Sequence, residues 1–340
     1  MHVQTNVSLR PFNTFGIDAR AQYLVHIDTE AALLEALRQP QWQALPKLIL
    51  GGGSNMLFTK DYEGAVFRIE LKGISVVQES EKEVIVRAGA GEVWHEFVQH
   101  CLRNGWGGLE NLSLIPGTVG ACPIQNIGAY GVEIKEIFES LEAVHIATGE
   151  KRVFSHAQCA FGYRDSYFKQ EGKGQYIITA VTFRLHKKHE NLNVSYGAIR
   201  DVLAERGITN PSYLDVSEAV ISIRQSKLPN PAELGNAGSF FKNPEIPLAQ
   251  YEQLREQFPN VPSYPVNAQT VKVPAGWLIE QSGWKGKRVG NCGVHHLQAL
   301  VIVNYGGATG AEIKALSEQI QADVFTKFGV TLSAEVNFIG

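Results

Sequence analysis

The chain has 340 residues, of which 44% are hydrophobic and 19% charged, and its formal net charge is −3. This length predicts two or three domains, and the composition excludes a disordered chain. The balanced charge and a pI of about 6.4 exclude a dedicated polyanion binder. The one basic cluster, Lys187-Lys188 flanked by His186 and His189, is short and lacks interleaved aromatics, so it reads as a solvated face and no nucleic-acid partner is expected. The first residues, MHVQTNVSLRPFNTFG, lack the apolar core of a signal peptide, and no run of eighteen apolar residues offers a membrane span. The four cysteines, Cys101, Cys122, Cys159 and Cys292, are scattered without a C-x-x-C, which fits free thiols in a reducing compartment. Cys292 lies near His295 and His296, but further ligands are missing and no metal is expected.

In chain order, residues 23–27 (YLVHI) predict a strand. Asp28 and Thr29 then cap a helix whose apolar face carries Ala32, Leu33, Ala36 and Leu37. Residues 47–50 (KLIL) are a strand that runs into Gly51-Gly52-Gly53-Ser54-Asn55. Such a loop suits a phosphate, but no lysine completes a P-loop, and Met56 stands where a dinucleotide fingerprint has its third glycine. Residues 84–88 form a second strand. It leads through Gly89-Ala90-Gly91 to a helix with Val93, Phe97, Cys101 and Leu102 on one side, stopped at Gly105. Here Trp94 replaces the third glycine.

From Asn111 to Val132 no residue is charged, and Pro116 and Pro123 break the run. Irregular backbone with little side-chain bulk is expected, either packed as a buried loop or pressed against a large flat ligand; the second reading is the better one beside the glycine loop. Residues 140–184 read as short strands, NVSYGAIRD (193–201) as a loop, and a further domain begins near residue 224. Ile313, Leu316, Ile320, Val324 and Phe328 mark a helix ended by Gly329. VTLSAEVNF (330–338) predicts a strand with Val330, Leu332, Ala334, Val336 and Phe338 on one face and Glu335 on the polar one.

The segments FNTFG (12–16), LILGGGSN (48–55), GLENLSLIPGTVGACPIQNIGAYG (108–131), FGYRDS (161–166), NAGSFFKNP (236–244), AGWLIEQ (275–281) and AEVNFIG (334–340) together resemble the UDP-N-acetylenolpyruvoylglucosamine reductase family, in the family's order and to the end of the chain. NVSYGAI resembles the loop of the subclass in which a tyrosine folds over the substrate. The resemblance implies an α+β fold of the vanillyl-alcohol-oxidase type. Two FAD-binding subdomains (1–71 and 72–223) would precede a substrate-binding domain (224–329), with residues 330–340 packing back near the first. It implies a cytoplasmic, monomeric enzyme of peptidoglycan precursor synthesis with non-covalent FAD, and NADPH and an enolpyruvyl UDP-sugar as its partners. Gly51, Gly52, Gly53, Ser54 and Asn55 would cradle the pyrophosphate of FAD through their amides. Ile115, Pro116, Gly117, Gly120, Ala121, Ile124 and Gly128 would line the flavin, where a desolvated charge would have no partner.

The family's reaction passes hydride from NADPH to FAD, then from flavin N5 to the vinyl carbon of UDP-N-acetylglucosamine enolpyruvate. A proton then completes UDP-N-acetylmuramate. By resemblance Ser239 is the proton donor, Arg164 activates the enolate, and Glu335 helps polarise the substrate. On residue type alone, Ser239 reads as a turn cap, Arg164 as a partner of Asp165, and Glu335 as an exposed strand residue. Tyr163, Tyr196, Lys227, Asn243, Tyr264, Lys272, Lys285 and Gln298 match the substrate contexts, and lysines and tyrosines suit a UDP diphosphate. Asn337 stands where relatives often carry Arg, Ser333-Ala334 replaces Glu-Pro, and Ala121-Cys122 replaces a serine pair or Ala-Ser. The alternatives are an FAD-dependent alcohol or sugar oxidase of the same fold, and a non-catalytic flavin or nucleotide-sugar binder.

Overall fold

A computed structural model describes residues 1–187 and 192–340. Of the basic cluster, Lys187 pairs with Glu79 (2.7 Å), while Lys188 and His189 lie outside the described residues. The chain divides into two compact units. One comprises Met1–Val7, Ala21–Gly52 and Glu63–Ser226; the other comprises Ser8–Arg20, Gly53–Tyr62 and Lys227–Gly340.

The first unit holds two sheets. In the four-stranded sheet the order is His2–Ser8, Arg20–Ile27, Tyr62–Ile69, Lys47–Leu50, the last two parallel with Lys47 opposite Ala65. The helix Glu30–Arg38 connects two of these strands. Thr29 caps it, accepting from Ala32 N (3.1 Å), and Leu33, Ala36 and Leu37 are buried against Val25, Ile27, Trp42 and Phe67. Burying one such leucine is worth roughly 2 kcal/mol, so the stripe decides where the helix sits.

The second sheet has five antiparallel strands in the order Lys151–Ser155, Phe138–His145, Tyr176–His186, Glu83–Gly89, Ile74–Glu79. The helix Trp94–Arg103 shares its core, with Trp94, Phe97 and Phe183 clustered at 4.9–6.0 Å between ring centroids. Val93 is not on the buried face as expected. It precedes the helix and is 40% exposed, because Trp94 takes the core position. The stretch 193–201 is likewise only half a loop. A helix, Gly197–Glu205, begins after Tyr196 and buries Ile199 and Leu203 against Val216, Val220 and Ile223 of the helix Tyr213–Lys227.

In the second unit, the antiparallel order is Gly235–Ser239, Val301–Asn304, Cys292–Val294, Arg288–Val289. The helix Gly310–Phe328 buries Ile313, Leu316, Ile320, Val324 and Phe328, and Gly329 ends it at φ 65°. A capping box starts it: Thr309 Oγ1 accepts from Glu312 N (3.2 Å) and Glu312 Oε2 accepts from Thr309 N (2.7 Å).

The C-terminal strand expected over 330–338 is broken. Ala334 forms a single bridge to Phe241, and a short strand, Asn337–Ile339, pairs in parallel with Met56–Phe58. Val330, Leu332 and Val336 are buried, but Phe338 is 41% exposed. Alternation persists, but the segment changes partner half-way, from residue 241 to residues 56–58.

Candidate cofactor and active site

The candidate residues divide between the units. Gly51, Gly52, Ile115 to Gly128, Tyr163, Arg164 and Tyr196 belong to the first; Gly53 to Asn55, Lys227, Ser239, Asn243, Tyr264, Lys272, Lys285, Gln298 and Glu335 belong to the second.

In the first unit the uncharged segment is held by the strand–turn–helix that precedes it. Trp94 N donates to Gly117 O (3.0 Å) and Trp94 Nε1 to Leu112 O (2.9 Å). The residue in the third-glycine position is thus an anchor rather than a phosphate contact. His95 Nδ1 accepts from Leu114 N (2.9 Å), and burial pushes this imidazole toward its neutral form. That bond supports Leu114 in a left-handed conformation, φ 59°, one residue before Ile115.

Exposure sorts the segment. Leu112, Ser113, Val119, Cys122, Pro123 and Asn126 are buried, whereas Ile115, Pro116, Gly117, Gly120, Ala121, Ile124 and Gly128 all keep some exposure. The residues the resemblance assigns to the flavin are therefore a surface backed by a core. Cys122 faces that core, and burial pushes its thiol well above the ordinary range. Gly52 meets the same segment backbone to backbone: a Cβ there would lie 2.8 Å from Gly117 Cα.

Arg164 sits in a turn closed by reciprocal Gly162 and Asp165 backbone bonds (3.0 and 3.3 Å), at φ 52°. Its Nη2 donates to Gly128 O (2.7 Å), and its guanidinium lies 5.3 Å from the Tyr163 ring. The Asp165 carboxylate accepts from Ser166 N (3.0 Å) and Gln170 Nε2 (2.8 Å). Tyr196 is 47% exposed and stands edge-on to Tyr130 at 5.1 Å.

In the second unit FNTFG wraps the third loop glycine. Gly53 has φ 62°, Thr14 N donates to its carbonyl (3.1 Å), and a Cβ there would fall on Phe12 O. Ser239 ends its strand just past a bulge, after Gly238 at φ 69°, and is exposed. Phe240 and Phe241 behind it are buried. Glu335 N donates to Phe240 O (2.8 Å) and Lys242 N to Ser333 O (2.9 Å), so one backbone ladder sets the Ser239 strand end beside half-buried Glu335.

Asn55 Nδ2 donates to Glu335 O (3.3 Å), and Asn337 Nδ2 donates to Asn55 O (2.9 Å). Asn337 thus ties the C-terminal segment to the glycine loop. Tyr264, 62% exposed, and Lys272 face each other in register, with Lys272 also 3.4 Å from Glu245. Asn243 Oδ1 accepts from Ala275 N (2.9 Å) at the start of the helix Ala275–Gln281, and Gln298 Oε1 from Leu300 N (3.3 Å). Lys285 pairs with Glu280 (2.9 Å), and Lys227 is exposed at the end of its helix.

Sequence reasoning missed Arg224. Among the described residues its Nε, shut off from solvent, has no hydrogen-bond partner, its guanidinium meets the Tyr130 phenol, and burial lowers its basicity. A half-buried cation beside a phenol would suit an anion.

Comparison with known proteins decides the family. Residues 230–339 match the C-terminal domain of UDP-N-acetylenolpyruvoylglucosamine reductase, and residues 21–155 match an FAD binding domain. Proteins of that reductase name from Flavobacterium johnsoniae and Pseudomonas putida are each 52% identical, over 100% and 98% of both chains respectively. The chain belongs to the UDP-N-acetylenolpyruvoylglucosamine reductase family. The crystal structure of the Thermus caldophilus reductase superposes with a TM-score of 0.69 at 24% identity, covering 100% of each chain. The fold is thus the α+β, vanillyl-alcohol-oxidase type shared by these flavoproteins, and this member of the reductase family is an FAD-dependent oxidoreductase. Its residues suit FAD: a charge-free exposed surface at 115–128, glycines whose Cβ positions are filled by backbone, and a buried unpaired guanidinium Nε.

Proposed function

We propose that this protein reduces UDP-N-acetylglucosamine enolpyruvate to UDP-N-acetylmuramate with NADPH, as a cytoplasmic, monomeric enzyme of peptidoglycan precursor synthesis. The observation that carries the reading is the ladder joining residues 240–242 to 333–335, which keeps a hydroxyl and a carboxylate on adjoining backbone. Residues 1–71 and 72–223 would hold the cofactor and 224–329 would take the nucleotide sugar.

When bound, FAD supplies the hydride transfer between NADPH and the enolpyruvyl vinyl group. Gly51 to Asn55 would donate amides to its pyrophosphate, with Arg224 adding charge, and Ile115 to Gly128 would cover the ring. Arg164 would face the substrate carboxylate and stabilise the enolate that develops beside it. Ser239 would deliver the proton to the adjacent carbon, with Phe240 and Phe241 excluding competing water. Glu335 would polarise the substrate at the same centre, and Tyr163, Tyr196, Lys227, Asn243, Tyr264, Lys272, Lys285 and Gln298 would hold its sugar and diphosphate. The reaction places an acid, not a base, opposite the hydride donor, which separates it from an alcohol oxidation on this fold.

The test uses two half-reactions. NADPH added anaerobically should bleach the flavin bands, and the enolpyruvyl sugar nucleotide should restore them. Ser239→Ala should leave bleaching within about twofold and slow the recolouring roughly 100- to 10,000-fold. Equal recolouring rates in the two proteins would remove Ser239 from the mechanism.

A further inference from the structure

We infer that Asn126 is the positioning residue for Arg164, an inference that rests on the substrate role proposed for that arginine. Asn126 is wholly buried, at φ 45°. Its Nδ2 donates to Gly162 O (2.9 Å) and to Glu133 Oε2 (3.1 Å), and its Oδ1 accepts from Lys135 N (3.1 Å). One side chain therefore fastens its own loop to the turn that carries Arg164 and to the 133–135 turn.

The far end of the arginine turn is fastened to the same loop. Ser166 Oγ donates to Ile124 O (2.6 Å), two residues before Asn126. Gly162 and Ser166 thus bracket Arg164, and both are tied to residues 124–126. The guanidinium closes the frame through Gly128 O, and a Cβ at Gly128 would lie 3.0 Å from Arg164 Nη1 and 2.9 Å from Glu133 Cγ.

A non-glycine residue at φ 52° is strained and persists only where its surroundings over-determine it. Here two clamps do so. Only asparagine fits the Asn126 site. It tolerates the left-handed backbone, and it offers a donor to a carbonyl and an acceptor to an amide at once. An aspartate would set a second carboxylate beside Glu133 and turn the Gly162 bond into a repulsion.

Asn126→Gly keeps the backbone freedom and removes the clamp. Stopped-flow mixing should find bleaching by NADPH within about twofold of wild type and recolouring by UDP-N-acetylglucosamine enolpyruvate slowed roughly 10- to 100-fold, the effect of a misplacement near 1 Å. Added to Arg164→Ala, it should slow recolouring no further, since the group it positions is gone. Unchanged recolouring in Asn126→Gly while Arg164→Ala is slow would overturn the inference alone. Equal losses in both half-reactions, additive with Arg164→Ala, would overturn it in favour of a general structural role. Fast recolouring in Arg164→Ala would overturn the role of Arg164 itself. If Asn126→Gly fails to hold flavin, Ser166→Ala releases the other clamp and replaces it: slowed recolouring with intact bleaching supports the frame around Arg164, and unchanged recolouring overturns it.

Discussion

Gly51 and Gly52 are neighbours in the chain, yet a methyl group added to each would strike different things. At Gly51 it would lie 2.5 Å from Thr118 Oγ1, the end of a side chain that can turn away; at Gly52 it would lie 2.8 Å from Gly117 Cα, which cannot. Gly52→Ala should therefore push the two loops apart, at a cost of about 1–3 kcal/mol, and lower the flavin-to-protein absorbance ratio of the purified enzyme. Gly51→Ala should retain most of it; comparable losses from both would show that the close approach at Gly52 is not limiting. The glycines announced this loop in the sequence because few other residues explain such a run. Asn126 and Arg224 did not announce themselves. Arg224 lies among Gln225, Ser226 and Lys227, which read as a solvated helix end. It interacts with Tyr130, nearly a hundred residues earlier, and no local pattern records that.

At the scale of elements, periodicity served well where one partner covers the whole segment. The helices Glu30–Arg38 and Gly310–Phe328 bury the residues their spacing selects, because each lies on a single core. It served poorly at 330–338, where alternation is compatible with one long strand or with two short pairings, and at 197–205, where Tyr196-Gly197 masks a helix start. The cap of the last helix can be weighed. Thr309→Ala removes the Oγ1 that accepts from Glu312 N, leaving that amide to water while Thr309 N can still donate to Glu312, and should lower stability by about 1 kcal/mol in urea unfolding. A change under about 0.3 kcal/mol would mean that packing alone holds the helix start.

For the molecule as a whole, stability toward acid should depend on a clamp across the five-stranded sheet. Arg87 Nε and Nη2 donate to Glu142 Oε1 and Oε2 (2.6 and 2.8 Å), reaching over the central strand Tyr176–His186. The hydrogen bonds from Arg87 hold the Glu142 carboxyl below its ordinary value of 4.5. A carboxylate so depressed contributes above that value, and its contribution fades as pH falls through the lower one. Glu142→Gln should thus cost about 1 kcal/mol at pH 7, a modest figure because the pair is about one-third exposed. The gap to wild type should narrow steadily below pH 4.5. A gap constant across the titration would remove the ion pair as its cause.

The pairing of Asn337–Ile339 with Met56–Phe58 also has a consequence in time. Bonds such as Asn55 Nδ2 to Glu335 O span 280 residues. At ribosomal speeds, roughly a quarter of a minute to a minute separates the emergence of the two ends of such a bond. Half of the glycine loop must wait for these partners until residues 335–339 have been made. The nascent chain can shape its first unit early, but Asn55 gains its partners Glu335 and Asn337 only after that long stretch of synthesis. Chaperone protection of the 53–62 stretch would matter most during that interval.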